Sequence, residues 1–513
     1  MAPSSNIMNQ TVRYRLSLAP SSTRNDQLIP PSLPVVSILT LISFFFFLAV
    51  SEWVADKVLR AGLIGQIIVG LIYGVPIGNI LALEWQETFL ALGYIGLIII
   101  IFEGGLTIRL DLLWQNLFLS TSAALLGVLT PIALTFALFY AGFGYGPLEA
   151  FIVGTALCST SIGTTFVVIN SASSKHDFAQ TRVGTVLISA AILDDVCGLV
   201  LVSVISQLRD IENANLGWVI GRPILASGLM AILTPLAAKF VLGPLFRLPA
   251  VETRFFRKFG HVANMALIVL VLCAFLAIAA YAGASVLFGA FLAGTVVSSL
   301  PSKQHVHPDE PSDTIDLDDD AKQKRPTFGD TFARYIQDAQ RFILQPCFFA
   351  SIGFSIPFIE LWTGEVIWKG IVFTIMMVLG KLVVGLVIPL WDLIANKKPD
   401  PSEKALSTPP AKRNWAPAAF LGTAMVARGE IGLLIIQIGL NETPYLSRKA
   451  FVIAVWAIVL NTVIGPVSVG TLLNRFGSAV AEDQRWGIQA KNAGGEVNRK
   501  PEVVSEGTGT VAP

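Results

Sequence analysis

The sequence predicts an all-α, polytopic membrane protein with about 13 transmembrane helices. Its 513 residues are 53% hydrophobic and only 14% charged, whereas a soluble domain carries about 25% charged residues. Apolar runs recur along the chain, and each is long enough to cross a hydrocarbon core of ~30 Å as a helix. These runs show no alternation of apolar and polar residues, which excludes a transmembrane β-barrel.

Thirteen apolar segments divide the chain, and we interpret each as one membrane span. They cover residues 35–56, 61–82, 87–108, 115–143, 147–170, 180–206, 217–243, 259–281, 284–300, 341–360, 365–393, 415–439 and 447–475. An odd number of spans places the two termini on opposite sides of the membrane.

The distribution of Lys and Arg predicts the orientation. One set of loops, together with the C-terminal tail, contains 25 of the 36 basic residues, whereas the opposite face contains eight. Basic residues accumulate on the cytoplasmic side, so we expect the N-terminus outside and the C-terminus inside. The expected location is the plasma membrane, with a vacuolar or endosomal membrane as the alternative.

Polar sequence occupies both ends and two long loops. We expect residues 1–34, 301–340, 394–414 and 476–513 to be disordered, because they contain few apolar residues. The stretch "DTIDLDDD" in the 301–340 loop is typical of a solvated spacer, with a regulatory role as the alternative. A net charge of +1 argues against a nucleic-acid partner. No "GxGxxG" motif follows a strand, so we expect that the protein binds no nucleotide.

Several charged residues fall inside the predicted spans. Each costs roughly 2.5–3.5 kcal/mol at the bilayer centre even on a lenient scale, so a set of them needs an explanation. Acid–base pairs that lock helices together are one explanation, which we favour for Glu103 with Arg428 or Arg428 with Glu430. The set comprises Glu103, Asp194, Asp195, Lys381, Arg428 and Glu430.

Two adjacent aspartates in "SAAILDDVCGLVLVSVI" fit that explanation poorly. One lysine can neutralise Asp194 or Asp195 but not both, and neighbours on a helix point about 100° apart. One aspartate can therefore face a partner while the other faces a water-filled cavity. A carboxylate in such a cavity can hold a proton or a small cation, but not both at once. This competition is the minimal chemistry of a cation/proton exchanger.

Two spans are interrupted by polar or glycine-rich sequence. The fifth contains "GTALCSTSIGTTFVVIN" and the twelfth "GTAMVARGEIGLLI", at corresponding places in the two halves of the chain. Paired interrupted helices are typical of a transporter site at the interface of two repeats. The hydroxyls of Ser159, Thr160 and Ser161 are hard oxygen ligands suited to Na⁺ or K⁺. The alternative is that these small residues only permit close helix packing.

The stretch "AAILDDVCGLV" resembles the paired-aspartate helix of the monovalent cation:proton antiporter superfamily, in its electrogenic sodium/proton exchanger branch. The resemblance covers about residues 35–475 and includes "GLIGQIIVGLIYG", "FEGGL", "CSTSIGTT", "FGAFLAGTVV", "FFASIGFSIPF", "LGKLVVG" and "ARGEIGLLI" in the family's order. It implies a sodium/proton antiporter-like fold, with inverted repeats and two crossed, broken helices.

The resemblance also implies a division into domains. Residues 35–108 and 259–360 would form a dimerisation scaffold, the second part containing the mobile loop 301–340. Residues 109–206 and 361–475 would form the ion-transport core, and residues 207–258 a linker helix. Residues 1–34 and 476–513 would be a disordered extracellular N-terminus and a disordered cytoplasmic tail. The core would move against the scaffold like an elevator, within a homodimer.

By the same resemblance, Asp195 matches the main carrier of ion and proton, and Asp194 matches its partner, which forms a salt bridge with a lysine. That lysine is Lys381. Thr160 and Ser161 match the crossing of the broken helices, and Ser161 stands where electroneutral relatives often have an aspartate. Supporting positions are Ser159, Glu103, Arg428 and Glu430.

The predicted function is secondary active antiport of Na⁺ or Li⁺ against H⁺, electrogenic and without a cofactor. K⁺/H⁺ antiport through the same residues is one alternative. A non-transporting pH or salt sensor is another, which the intact Asp194, Asp195 and Lys381 disfavour. Two acidic residues also disfavour organic-anion symport. No Ser-His or metal-ligand constellation suggests an enzyme. The expected partners are monovalent cations, protons, the lipid bilayer and a second copy of the chain.

Overall fold

The computed structural model describes residues 35–108, 116–161, 178, 181–208, 216–246, 257–300, 326–395, 415–483 and 485–487. The disorder predicted for residues 1–34, 301–325, 396–414, 484 and 488–513 lies outside these ranges. The prediction was wrong for residues 394–395, which end a helix that runs from Val387 to Ala395. The chain divides into two compact units, residues 1–43 and residues 44–513. The described residues of the first unit, 35–43, are helical, and Thr40 Oγ1 donates to the Val36 carbonyl at 2.9 Å. The candidate site and all the contacts discussed below lie in the second unit.

The described residues form helices and no strand element, which confirms the all-α class. Each of the 13 predicted spans contains at least one helix, and eight helices among the described residues are long and apolar enough to cross a membrane. The principal helices are α1 (Val35–Leu59), α2 (Gly62–Tyr73), α3 (Leu83–Thr107), α4 (Leu117–Thr135), α5 (Pro147–Ala156), α6 (Arg182–Gln207), α7 (Leu216–Ala237), α8 (Arg257–Ala282), α9 (Val286–Ser299), α10 (Phe328–Tyr335), α11 (Gln345–Ser355), α12 (Gly364–Leu382), α13 (Val387–Ala395), α14 (Trp415–Ala424), α15 (Glu430–Glu442) and α16 (Arg448–Ala481).

Local sequence explains where the helices near the site begin. Pro147 occupies the first turn of α5, where its missing N–H and fixed φ are tolerated. Thr181 caps α6 by accepting the Gly184 N–H at 3.0 Å, and Ser447 caps α16 by accepting the Ala450 N–H at 3.2 Å. Such caps satisfy N–H groups that have no partner within the helix.

Glycines let several helix pairs approach closely. A Cβ on Gly70 of α2 would lie 2.1 Å from the Ala350 carbonyl oxygen of α11, and one on Gly294 of α9 would lie 2.2 Å from the Phe102 carbonyl oxygen of α3. Small residues at such crossings are typical of membrane helix packing. These contacts join α2 to α11 and α3 to α9.

Part of the loop predicted to be disordered is folded. Residues 326–340 include α10, which starts with a capping box in which Thr327 and Asp330 bond each other's backbone N–H at 3.0 Å. Asn264 of α8 donates to the Pro326 carbonyl at 2.9 Å and to Thr331 Oγ1 at 3.0 Å. The prediction of disorder for residues 326–340 was wrong because α10 supplies its own cap and its own apolar anchors, with Phe328 and Phe332 both buried.

The beginning of the predicted disordered tail is folded as well. Helix α16 continues to Ala481, and the ring of Trp486 is completely buried. The prediction of disorder for residues 476–483 and 485–487 was wrong. It rested on the polar composition after residue 476 and did not take the single buried ring of Trp486 into account.

Candidate functional site

Two interrupted helices contact each other at the centre of the site, through the non-helical segments that follow them. Helices α5 and α14 are each ten residues long, and each is followed by non-helical backbone, residues 157–161 and 425–429. The Ser161 N–H donates to the Ala427 carbonyl at 3.0 Å. A Cβ on Gly429 would lie 2.6 Å from Ser161 Oγ, so the two segments touch at this point. Residues 162–170, the rest of the fifth predicted span, lie outside the described residues.

Arg428 binds both interrupted segments together. Its fully buried guanidinium donates through Nη1 to the Ser159 carbonyl at 3.1 Å and to the Met425 carbonyl at 3.2 Å. Both carbonyls lie just beyond the C-terminal ends of α5 and α14, where the helix dipole is negative and a cation is stabilising. The Arg428 carbonyl in turn accepts the Thr462 hydroxyl of α16 at 2.9 Å. Arg428 therefore holds the crossing in place.

The carboxylates expected to pair with Arg428 do not do so. Among the described residues, neither Glu103 nor Glu430 forms an ion pair with it, and its Nε and Nη2 atoms have no hydrogen-bond partner. Glu430 is the first residue of α15, after the N-cap Gly429. A carboxylate there is stabilised by the positive end of the helix dipole. The predicted pairs were wrong because backbone carbonyls take the place of carboxylates.

Glu103 lies in a different helix contact. Its carboxylate accepts hydrogen bonds from Gln340 Nε2 at 2.5 Å and from Gln337 Nε2 at 3.3 Å. Both glutamines belong to the folded part of the 301–340 loop, and no sequence pattern predicted that this loop would contact α3. Glu103 thus fastens the segment that precedes α11 to α3, and the structure places it outside the cluster formed by Asp194 and Lys381.

A buried ion pair stands beside the crossing. Lys381 Nζ lies 2.7 Å from Asp194 Oδ2. Thr160 joins them: its hydroxyl lies 2.6 Å from the same carboxylate oxygen and accepts a hydrogen bond from Lys381 Nζ at 2.9 Å. The side chains of Asp194 and Lys381 are both 0% exposed. The structure therefore brings three predicted site residues, from α6, α12 and the fifth span, into one polar cluster.

Asp195 differs from its neighbour. It is partly exposed, whereas Asp194 is fully buried. Its Oδ1 atom is buried and accepts no hydrogen bond within the described part of the chain, and the same holds for Oδ1 of Asp194. A buried oxygen without a protein partner is costly unless a proton, a water molecule or an ion satisfies it. Within the described residues, Lys381 and Thr160 thus bind the Asp194 carboxylate, and each aspartate keeps one oxygen without a protein partner.

Ser159 and Ser161 each contribute a backbone group to the site. Ser159 provides the carbonyl that Arg428 binds, and its Cβ would lie 3.5 Å from a Cβ on Gly198 of α6. Ser161 provides the N–H that links the two segments. Both residues are buried.

Gly127 of α4 is a site residue that the sequence did not reveal. A Cβ at this position would lie 3.3 Å from Lys381 Nζ and 3.2 Å from Met425 Cε. Gly127 therefore leaves the space that the ammonium group occupies. A glycine in an apolar span is too common to attract notice, and only the three-dimensional contact identifies it.

We expect Gly127→Ala to weaken exchange severalfold while the protein still folds. Both neighbours are the ends of flexible side chains, so they can yield by a few tenths of an ångström, and Lys381 then moves relative to Asp194. The measurement is the cation KM and the pH profile of exchange in liposomes. Gly228→Ala is the control, since nothing lies within 4 Å of a Cβ at Gly228. Equal behaviour of the two variants would contradict a role for Gly127.

Comparison with known proteins agrees with this geometry. The transmembrane sodium/hydrogen exchanger family matches residues 31–475. The chain is 24% identical to the Na⁺/H⁺-K⁺ antiporter GerN of Bacillus cereus, over 82% of this chain and 94% of that protein. It is also 24% identical to a Na⁺/H⁺ antiporter of Enterococcus hirae, over 79% of this chain and 89% of that protein.

A solved structure shares the fold. The sodium proton antiporter MjNhaP1 from Methanocaldococcus jannaschii superposes with a TM-score of 0.53 at 16% identity, covering 86% of this chain and 97% of that protein. This likeness confirms the predicted antiporter-like fold. Because the family match spans most of the chain, this multi-pass integral membrane protein belongs to the sodium/hydrogen exchanger family of secondary transporters, which exchange monovalent cations for protons and are not enzymes.

Proposed function

We propose that the protein exchanges Na⁺ or Li⁺ for H⁺ and that Asp195 binds each of them in turn. The observation that carries this proposal is the difference between the two aspartates. Asp194 is fully buried and engaged by Lys381 and Thr160, whereas Asp195 is partly exposed and forms no ion pair among the described residues. A proton and a cation compete for that carboxylate, and this competition couples their opposite movements.

The Asp194–Lys381 pair supplies a second step. A cation that reaches the free oxygens of Asp194 and Asp195 weakens the hold of Asp194 on Lys381. Lys381 then carries a buried positive charge with less compensation. Releasing its proton removes the free-energy cost of that charge. Two protons would leave for each Na⁺ that enters, so exchange would be electrogenic.

The proposed movement is that of an elevator within a homodimer. The core would comprise residues 109–206 and 361–475, and the scaffold residues 35–108 and 259–360, with residues 207–258 as the linker. The glycine contacts that join α2 to α11 and α3 to α9 support a rigid scaffold. We also propose an outside N-terminus, a cytoplasmic C-terminus and the plasma membrane as location, supported by the distribution of basic residues.

K⁺/H⁺ exchange is the second candidate. The name of the Bacillus cereus relative includes both Na⁺ and K⁺, and hydroxyl, carboxylate and carbonyl oxygens suit either ion. A non-transporting sensor is disfavoured, because a protein that no longer transports would have no reason to keep a costly buried ion pair such as Asp194–Lys381.

The test uses the purified full-length protein in liposomes that contain a pH-sensitive dye. A proton gradient is imposed, and Na⁺, Li⁺ and K⁺ are added in turn, with protein-free liposomes as the control. We expect Na⁺ and Li⁺ to move protons. A response to K⁺ alone would favour the second candidate, and no response to any cation would contradict antiport.

A further inference from the structure

We infer that a short segment after α16 positions the ion-binding site from a distance. This segment, called the clasp, consists of Asp483, Arg485, Trp486 and Gly487. It lies beyond residue 475, where the family match ends, so it is a feature of this chain that the family assignment does not explain. The inference rests on the proposed function of Asp194 and Lys381.

The clasp is a tight turn with its own internal bonds. Asp483 Oδ1 accepts the backbone N–H groups of Arg485 and Trp486, both at 2.9 Å. The Gly487 N–H donates to the Asp483 carbonyl at 2.8 Å. A Cβ on Gly487 would lie 2.2 Å from the Ala481 carbonyl oxygen, so the turn closes tightly against the end of α16.

One side of the clasp binds the start of α6. The Arg182 N–H donates to the Gly487 carbonyl at 3.0 Å, and the Val183 N–H donates to the Trp486 carbonyl at 3.1 Å. The first N–H groups of a helix have no partner within it, so the clasp completes the N-terminus of α6. The Arg182 guanidinium also lies 5.1 Å from the centre of the Trp486 ring, within the range of a cation–π interaction.

The other side of the clasp binds α13. Trp486 Nε1 donates to Asp392 Oδ2 at 3.3 Å, and Arg485 Nη1 lies 3.4 Å from Asp392 Oδ1. Asp392 is only 5% exposed and the Trp486 ring is fully buried, so the bond between them is shielded from solvent, whereas the Arg485 side chain is 27% exposed. The clasp thus joins α6 to α13. Its backbone carbonyls bind the start of α6, and its side chains bind Asp392 of α13.

The two partners of the buried ion pair lie on α6 and on the helical run that α12 begins and α13 continues. Asp194 lies 12 residues after Arg182, or about 18 Å along α6. Lys381 lies 11 residues before Asp392, or about 16 Å along the continuous helical run of α12, a short 3₁₀ turn and α13. The two elements therefore meet at the ion pair and again, three turns away, at the clasp. Trp486 and Asp392 act as positioning residues for Asp194 and Lys381.

The test compares three variants with wild type in the liposome assay. We expect Trp486→Ala to raise the cation KM about threefold or more and to displace the pH profile, with a smaller effect on maximal rate. Trp486→Phe keeps the ring but loses the bond to Asp392, so its effect should be intermediate. Asp392→Asn keeps an oxygen that can accept the Trp486 N–H but loses the charge beside Arg485, so its effect should be no larger than that of Trp486→Phe. The control is Trp415→Ala, because Trp415 packs on Phe476 instead.

The clasp can also be tested without transport. Non-additive changes in the unfolding midpoint of Trp486→Phe and Lys381→Ala, combined in a double-mutant cycle, would show that the clasp acts on the ion pair. Additive effects, together with unchanged KM and pH profile in Trp486→Phe and Asp392→Asn, would overturn the inference. Absence of exchange in the wild type would contradict the proposed function, and the cycle would still decide the role of the clasp.

Discussion

Asp195→Asn is expected to abolish cation/proton exchange in liposomes. The amide has nearly the same shape as the carboxylate, but it can neither carry the proton nor supply the charge that attracts a cation. Asp194 remains with Lys381 and Thr160, and it cannot replace its neighbour, because a pair that is already engaged has to be broken first. The expected result is a loss of at least about 100-fold in initial rate, the scale typical of removing a group used directly in the reaction.

The control for this variant is Glu103→Gln. It makes the same isosteric change in another intramembrane carboxylate, one that is bound by Gln337 and Gln340. We expect it to reduce the rate far less than Asp195→Asn does. Folding is checked by the unfolding midpoint, which should change little in Asp195→Asn because no hydrogen bond to Oδ1 is lost. Wild-type-like exchange in a folded Asp195→Asn protein would refute the carrier assignment.

Much of this fold could be predicted because the bilayer imposes strong rules. Long apolar runs leave no alternative to helices, since backbone polar groups in lipid must be satisfied within each segment. The interruptions near Thr160 and Arg428 were visible as polar residues where apolar ones are expected. The adjacent Asp194 and Asp195 were visible for the same reason, as charges at a depth where charge is costly.

The contacts that depend on distant parts of the chain could not be predicted. Arg428 binds the carbonyls of Ser159 and Met425, and backbone carbonyls leave no mark in a sequence. Glu103 is bound by Gln337 and Gln340, which lie more than 230 residues away in a segment that looked like a loop.

Two further elements, the clasp and α10, depend on very few side chains. Trp486 anchors the clasp, and α10 is anchored by Phe328 and Phe332. Each stretch is otherwise polar, so its composition predicts disorder. One or two buried aromatic rings nevertheless give enough apolar contact to fix a short segment against a preformed bundle. Composition averages over such anchors and therefore misses them.

Lys381→Ala is expected to lower stability and to make any remaining exchange electroneutral. Removing one partner of a fully buried ion pair costs about 3–5 kcal/mol, because the other charge stays buried without compensation. Asp194 would escape that cost by taking up a proton. The proton that Lys381 would release is then missing from the cycle. Asp195 alone would exchange one proton for one cation, so no net charge would move. The measurements are the unfolding midpoint in detergent and the membrane potential that a Na⁺ gradient generates in liposomes.

Two further variants distinguish the effect of losing this ion pair from the effect of losing any lysine. Lys369→Ala removes a lysine from the same helix, where its partner Glu365 is 46% exposed although Lys369 itself is only 13% exposed and lies 5.1 Å from the centre of the Phe143 ring. We expect that variant to keep charge movement and to lose less stability than Lys381→Ala, because its pair is partly solvated. The double variant Asp194→Asn/Lys381→Ala removes the uncompensated charge as well, so it should recover part of the lost stability without recovering electrogenic exchange. If Lys381→Ala still generated a wild-type membrane potential, the ion pair would be a structural lock and the second proton would have to come from elsewhere.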